Sequence, residues 1–311
     1  MNVGELFGKS KTRLQYMPDY FWPLPTCAVG LEWEWEEAYG IHSMLGSYTA
    51  AHKGMLDFKN DGSLRGDASI EIVLATPMFG TDIRTVLDVH KSVIDRDMAR
   101  IKGNGRTGFH VHLDVRDMEA PALVRFFYLY AIFERQLFDF VGKNRETSNF
   151  CVPWFRSQEP FSCIETLSDP APIPNNVQKK FREAEQLRYS ALNVHALLKF
   201  GSVEFRHMEN HADELFTRQI QWIKAIMQLK RAAMEMTASP LGVIEAVQQG
   251  FDPFASDPDR FGIPMDKGIE EGLEVAHTLI PSALVPQNSK SPEEFFDFRK
   301  ITGVHPARRP A

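Results

Sequence analysis

Glutamate and histidine recur in this sequence at a spacing of two, next to large apolar residues, and that pattern marks where chemistry could lie. The stretch VGLEWEWE, positions 29–36, interleaves Glu32, Glu34 and Glu36 with Trp33 and Trp35. Side chains of a strand alternate between its two faces, so Leu31, Trp33 and Trp35 would pack on a core while three carboxylates project together. Like charges held side by side need compensation, from water on a wet sheet face or from a bound cation. Three later stretches share the design. SIEIVLATP (69–77) puts Glu71 on one face with Ser69 and Val73. FHVHLDV (109–115) sets His110, His112 and Asp114 opposite Phe109, Val111, Leu113 and Val115, and GSVEFRHM (201–208) sets Glu204 and Arg206 opposite Val203 and Phe205.

An ordinary solvated face mixes lysine, threonine, serine and glutamate, whereas these four concentrate carboxylates and imidazoles, which are metal-ligand types. Carboxylate oxygens in that number suit a hard cation, magnesium or manganese, and zinc would more often bring further histidine or cysteine. Magnesium that keeps open positions commonly meets nucleotide phosphates, so the four strands, if neighbours, could hold the phosphate end of ATP, with Arg206 countering the transferring charge. The plainer reading is a wet face for the glutamates, polar surface for the histidines and Glu71, and a cross-strand ion pair for Glu204 with Arg206. Of two other motifs, the first is rejected on spacing and the second stays as the runner-up metal reading. GELFGKS at 4–10 has three residues between its glycines where a P-loop has four. The HVH pair matches a cupin barrel, but no glutamate follows three or four residues later, and long helices do not suit that barrel.

The elements that must position these residues are alternating strands near 28–36, 69–77, 109–115 and 201–208, separated by helices. An amphipathic helix is expected from about 82 to 101 with Thr81 as its cap, and a buried one from about 120 to 141, with Pro121 in its first turn and Gly142 at its end. Two more are expected near 176–189 and 213–236. Positions 1–27 carry Pro18, Pro23 and Pro25 and read as an irregular lead-in. Positions 143–175 are rich in proline and read mostly as loop, a lid-like insertion within a catalytic unit spanning 28–240. Positions 241–311 read as an extension of proline turns and short helical pieces.

Composition narrows the function classes. The chain has 311 residues, 43% hydrophobic and 24% charged, enough for a full core. A formal net charge of −6 without a lysine or arginine run argues against nucleic acid as a partner. The most apolar stretch, ALVRFFYLYAIF at 122–133, is too short for a bilayer and contains Arg125, so no membrane span is expected. Three cysteines without metal-type spacing, and a start lacking a signal-peptide core, read as a reduced, cytoplasmic setting.

In this order the motifs resemble the amidoligases, relatives of glutamine synthetase and glutamate-cysteine ligase. VGLEWEWE resembles that family's G-x-E-x-E strand, DGSLRGDASIEIVLATP its D-x-S turn and following strand, and TGFHVHLDV its T-G-x-H-V-H strand. RETSNFC at 145–151, RYSALN at 188–193 and GSVEFR at 201–206 resemble its later elements, with Ser202 and Thr76 in place of the usual threonine and serine. The resemblance covers about 28–240. It implies an α+β fold, with a curved, mainly antiparallel sheet of about six strands of glutamine synthetase type, backed by helices. It also implies ATP-dependent joining of a carboxylate to an amine through an acyl phosphate, with Mg2+ or Mn2+. Small-molecule or peptide substrates are implied, and their identities and the oligomeric state are left open. Glu32, Glu34, Glu71, His110 and Glu204 would be metal ligands, directly or through water, with Glu34 and Arg206 catalytic. Asn193, Arg188 and Arg145 would contact substrate or nucleotide, His112 would support a ligand or meet a phosphate, and Asp61 with Ser63 would edge the site. The competing readings are a degenerate relative that binds without ligating, and an ATP-independent metal hydrolase or cupin-like enzyme.

Overall fold

The computed structural model describes residues 1–9, 27–43, 45–51, 53–75, 77, 80–95, 106–157, 159–210, 215–255 and 268–280. Six strands form one open sheet: β1 (Val29–Trp35), β2 (Leu56–Lys59), β3 (Ile70–Leu74), β4 (Gly108–Asp114), β5 (Leu192–Asn193) and β6 (Ser202–Glu209). Their order is β2-β3-β1-β4-β6-β5, and every neighbouring pair is antiparallel. The helices are α1 (Val3–Leu6), α2 (Tyr39–Ser43), α3 (Leu45–Ala51), α4 (Gly80–Asp95), α5 (Ala120–Val141), α6 (Glu159–Leu167), α7 (Pro174–Glu183), α8 (Ala196–Lys199), α9 (Leu215–Glu235), α10 (Pro240–Gln248) and α11 (Ile269–Thr278). The fold is α+β, as the resemblance implies. Short 3-10 helices at Lys143–Arg145, Trp154–Arg156 and Glu185–Tyr189 join several of them.

The alternation read from the four central strands sets the layers. Leu31, Trp33, Trp35, Phe109, Val111, Val203 and Phe205 are all buried on the helix side of the sheet. Trp33 stacks on His90 of α4 at 4.1 Å between centroids and donates its indole N–H to Gln219 of α9 at 3.3 Å. Phe205 meets Phe126 and Tyr130 of α5 and Trp222 of α9 edge-on. Each such residue removes a large apolar area from water, worth about 1.5–3 kcal/mol. This layer holds the strands, and therefore the residues on their opposite face, in register.

Helix α5 follows its sequence signals, with Pro121 in its first turn and Gly142 at φ 89° just past its end. It is covered on its outer side by α11, and the Tyr128 hydroxyl donates to the Leu279 carbonyl at 2.6 Å. The extension after 240 is thus packed into the same body through α10 and α11. Several boundaries differ from expectation. Helix α4 begins at Gly80, so Thr81 lies inside it, and its expected end at 101 falls outside the described residues. The helix expected near 176–189 divides into α7 and a 3-10 turn, and that expected near 213–236 is α9. The lead-in is not irregular throughout. Asn2 accepts the Glu5 backbone N–H while the Glu5 carboxylate accepts the Asn2 N–H, a capping box that starts α1, and Phe7 packs on Phe181 of α7. Positions 10–26 lie outside the described residues. The segment 143–175 is not mostly loop: it contains α6, whose Cys163, Ile164 and Leu167 are buried and which packs on α5.

Candidate active site

The face of the sheet away from α5 and α9 carries the chemistry. Register brings the residues into one band across it. Glu34 lies opposite Glu71 in the β1–β3 pair, Glu32 opposite His110 in β1–β4, His112 opposite Glu204 in β4–β6, and Asn193 opposite Glu204 in β5–β6. Pairing of β4 with β6 shifts between Phe109 and Val111, so His110 sits at a bulge, a device that re-aims a side chain. The band floors a cleft of about 1320 Å3 lined by Glu32, Glu34, Asp61, Ser63, Glu71, His110, His112, Arg188, Asn193, Glu204 and Arg206.

His110 is the centre of the band. One ring nitrogen, Nδ1, lies 3.5 Å from Glu32 and 3.3 Å from Glu204, while Nε2 lies 3.7 Å from Glu34. Nε2 is buried and has no hydrogen-bond partner. Ligand atoms from Glu32, His110 and Glu204 fall within 4.8 Å of one another. Opposite ligands of an octahedral magnesium ion are about 4 Å apart, so small rotamer changes would let these three close on a divalent cation. A buried imidazole ringed by carboxylates, with Nδ1 facing Glu32 and Glu204 and Nε2 unpartnered beside Glu34, fits such an ion better than it fits a plain core.

Around this centre each group is held by others. Glu34 accepts the Gly108 backbone N–H at 2.6 Å, and its own carbonyl accepts from the Asn210 amide at 2.7 Å. Gly108 has no room for a side chain: a Cβ there would stand 2.4 Å from His110 Nε2 and 2.9 Å from Arg145 Cζ. His112 Nε2 lies 3.1 Å from Glu32 and its Nδ1 3.2 Å from the Ser202 hydroxyl. Asn193 donates to Glu204 at 2.6 Å, and Arg206 lies 3.4 Å from Glu204 and donates to the Arg188 carbonyl at 3.0 Å.

The electrostatics follow from this crowding. Burial alone would raise the Glu32 carboxyl, but His112 and His110 outweigh it and hold Glu32 well below the usual carboxylate range. His112 is raised in turn, because Glu32 and Glu204 more than offset its burial. Glu71 lacks such a histidine. Burial, reinforced by the charges of Glu32, Asp61 and Glu34, pushes it up to about 7. Arg206 is raised because Glu204, Glu34 and Glu32 outweigh its burial.

Three residues depart from the pattern read from sequence. β1 ends at Trp35, and Glu36 turns to accept the Arg65 backbone N–H and the Arg106 guanidinium at 2.9 and 3.1 Å, away from the cleft. Arg145 lies behind the site and not on its wall. It is fully buried, donating to the carbonyls of Arg206 and Arg106 at 3.0 and 2.9 Å with Glu34 at 4.0 Å. Asp114, on the same alternating face as the histidines, is engaged by Arg116 at the strand end. Among the described residues of the lid-like segment 143–175, Phe150 reaches the cleft. Pattern reading missed Lys9, Lys59, Arg182, Lys199 and Phe200, which also line it. Lys59 and Phe200 border elements of four residues, too short to show periodicity.

A family model of amidoligase enzymes matches residues 46–227. The matched span holds Glu71, His110, His112, Asn193, Glu204 and Arg206, and begins after the strand that carries Glu32 and Glu34. No curated protein matches the chain at a significant level. The family match covers more than half of the chain and includes three of the four strands that build the cleft floor, so the chain belongs to the amidoligase family.

Proposed function

We propose that this amidoligase joins a carboxylate to an amine at the expense of ATP. The observation that carries the reading is the set of Glu32, His110 Nδ1 and Glu204, with the unpartnered Nε2 of the same imidazole facing Glu34, converging beside Arg206 in an open cleft. Glu32, Glu204 and His110, with Glu34 and Glu71 beside them, would hold Mg2+ or Mn2+. Such an ion supplies charge neutralisation for crowded phosphate and carboxylate oxygens.

The chemistry needs that neutralisation. A carboxylate is a poor acyl donor until one oxygen becomes part of a leaving group. In the proposed sequence a substrate carboxylate oxygen attacks the γ-phosphorus of ATP, the bond to the β-phosphate oxygen breaks, and ADP departs. The amine lone pair then attacks the acyl carbon, the acyl C–O bond breaks, and phosphate leaves as the nitrogen loses a proton. Arg206 would balance charge on the transferring group. Asn193 and His112 orient Glu204 and Glu32, and Gly108 fixes one oxygen of Glu34. Asp61 and Ser63 edge the cleft on the far side, where the Ser63 N–H donates to Asp61 at 2.7 Å. The substrates are small-molecule or peptide acids and amines.

The test is the melting temperature with ADP or a non-hydrolysable ATP analogue, with and without Mg2+ or Mn2+. Nucleotide at 100 times its dissociation constant adds about 2.7 kcal/mol, seen as a rise of several degrees. A rise that needs the metal supports the reading. A rise with metal alone, indifferent to nucleotide, would instead indicate an ATP-independent metal enzyme. Nucleotide binding without ADP release across a broad panel of acids and amines would indicate a binding relative.

A further inference from the structure

The cleft is electrically divided. Over the β2–β3–β1 half stand Asp61, Glu71 and Glu34, with Lys59 as their counterweight. Over the β5–β6 half stand Arg206, Arg182, Arg188 and Lys199, against Glu204, 3.4 Å from Arg206, and Glu185, paired to Arg188 at 3.5 Å. A polyphosphate is repelled by the first half and attracted by the second. The second half also presents an aromatic ring to the cleft. Phe200 is 49% exposed, whereas Phe205, Phe126 and Phe109 nearby in the fold are buried. Its ring meets His112 edge-on at 5.4 Å between centroids, and the Lys199 ammonium lies 4.6 Å from its centre. His112 in turn touches Glu32, so one side chain separates the exposed ring from the carboxylate cluster.

The local backbone explains why the ring faces outward. Phe200 caps the four-residue α8, and Gly201, at φ 73°, reverses the chain into β6. A Cβ at Gly201 would strike Arg116 at 2.5 Å, so glycine is needed there for both conformation and space.

We propose that Phe200 seats the base of the nucleotide, with the polyphosphate running from Lys199 past His112 towards the carboxylate cluster; the proposal rests on the ATP reading above. Every base offers a π-face, and the ring stands on the half of the cleft whose charge favours the phosphates. Truncating an aromatic that stacks on a base weakens binding about 5- to 150-fold.

The experiment measures binding of two probes with Mg2+, ADP and inorganic tripolyphosphate, to the wild type, Phe200→Ala and Phe200→Trp by calorimetry. The expected result is a 5- to 150-fold weaker ADP affinity for Phe200→Ala, unchanged tripolyphosphate affinity, and recovery of ADP binding in Phe200→Trp. Equal weakening of both probes would mean that Phe200 only props His112, and would overturn the proposal. So would unchanged ADP affinity in Phe200→Ala. Failure of the wild type to bind ADP at all would overturn the ATP reading together with this one. Phe200 is half exposed, so the alanine variant should keep the wild-type melting temperature without ligand, which verifies that the fold is intact.

Discussion

At Glu36 the alternation of β1 gives way: of three carboxylates spaced two apart, Glu32 and Glu34 enter the cleft and the third is taken by Arg106. Spacing made Glu32, Glu34, Glu71, His110, Glu204 and Arg206 legible, because a strand converts a period of two into a shared face. It could not show where the strand ends. Nor could it place Arg145, which comes from a 3-10 turn and reaches the site from behind. At this scale Glu34→Gln should abolish the metal-dependent nucleotide shift and ADP release while leaving circular dichroism unchanged, since an amide loses the charge that the cluster uses. Full turnover in that variant would remove the core of the reading. A second prediction concerns the opposite face. His90 accepts the Trp35 indole N–H, His207 lies against the Tyr130 hydroxyl, and burial lowers both to about 3. Their neutral forms favour the fold, so the stability they support is present above pH 6.5 and is lost as pH falls towards 3. At pH 5 each would cost about 2 kcal/mol. Urea unfolding of His90→Phe, which keeps the stack on Trp33, should therefore lose about 2 kcal/mol less than the wild type between pH 7 and pH 5.

Among elements, those with a long repeat were readable and those without were not. Four strands and α4, α5, α7 and α9 follow from periodicity and their end signals. The sheet's edges do not: β2 has four residues and β5 two, and their place is set by pairing with β3 and β6. Prolines at 143–175 hid α6, whose helix is secured by packing on α5 against a poor local prior. A tight join between elements lies where β4 begins beside β1. Gly108→Ala should cost about 1–3 kcal/mol through overpacking against His110 and Arg145, and should also remove the metal-dependent shift. Gly46→Ala, on a helix with open space around it, is the matched control: it should raise stability by up to about 1 kcal/mol and leave the metal-dependent shift unchanged. Thermal melts with and without Mg2+ and ADP read both effects.

For the whole molecule, the packing of α11 on α5 decides how far the body extends. A Cβ at Gly272 would stand 1.9 Å from the Ile132 carbonyl oxygen, so the two helices approach as only glycine permits. Gly272→Ala should lower global stability by about 3 kcal/mol or more in a single transition. An unchanged unfolding midpoint would mean that α11 contributes little to the cooperative unit. No helix of the described residues is long and apolar enough to cross a membrane. One feature of the sheet reaches beyond stability. Along β1, β4 and β6 each cleft residue sits between neighbours that anchor the strand in the aromatic layer, as Glu34 does between Trp33 and Trp35. Inserting or deleting one residue within such a strand would send a carboxylate into the core and a ring into the cleft at once. Lineages of this chain should therefore drift in length at turns such as 60–68, while the strand lengths stay fixed.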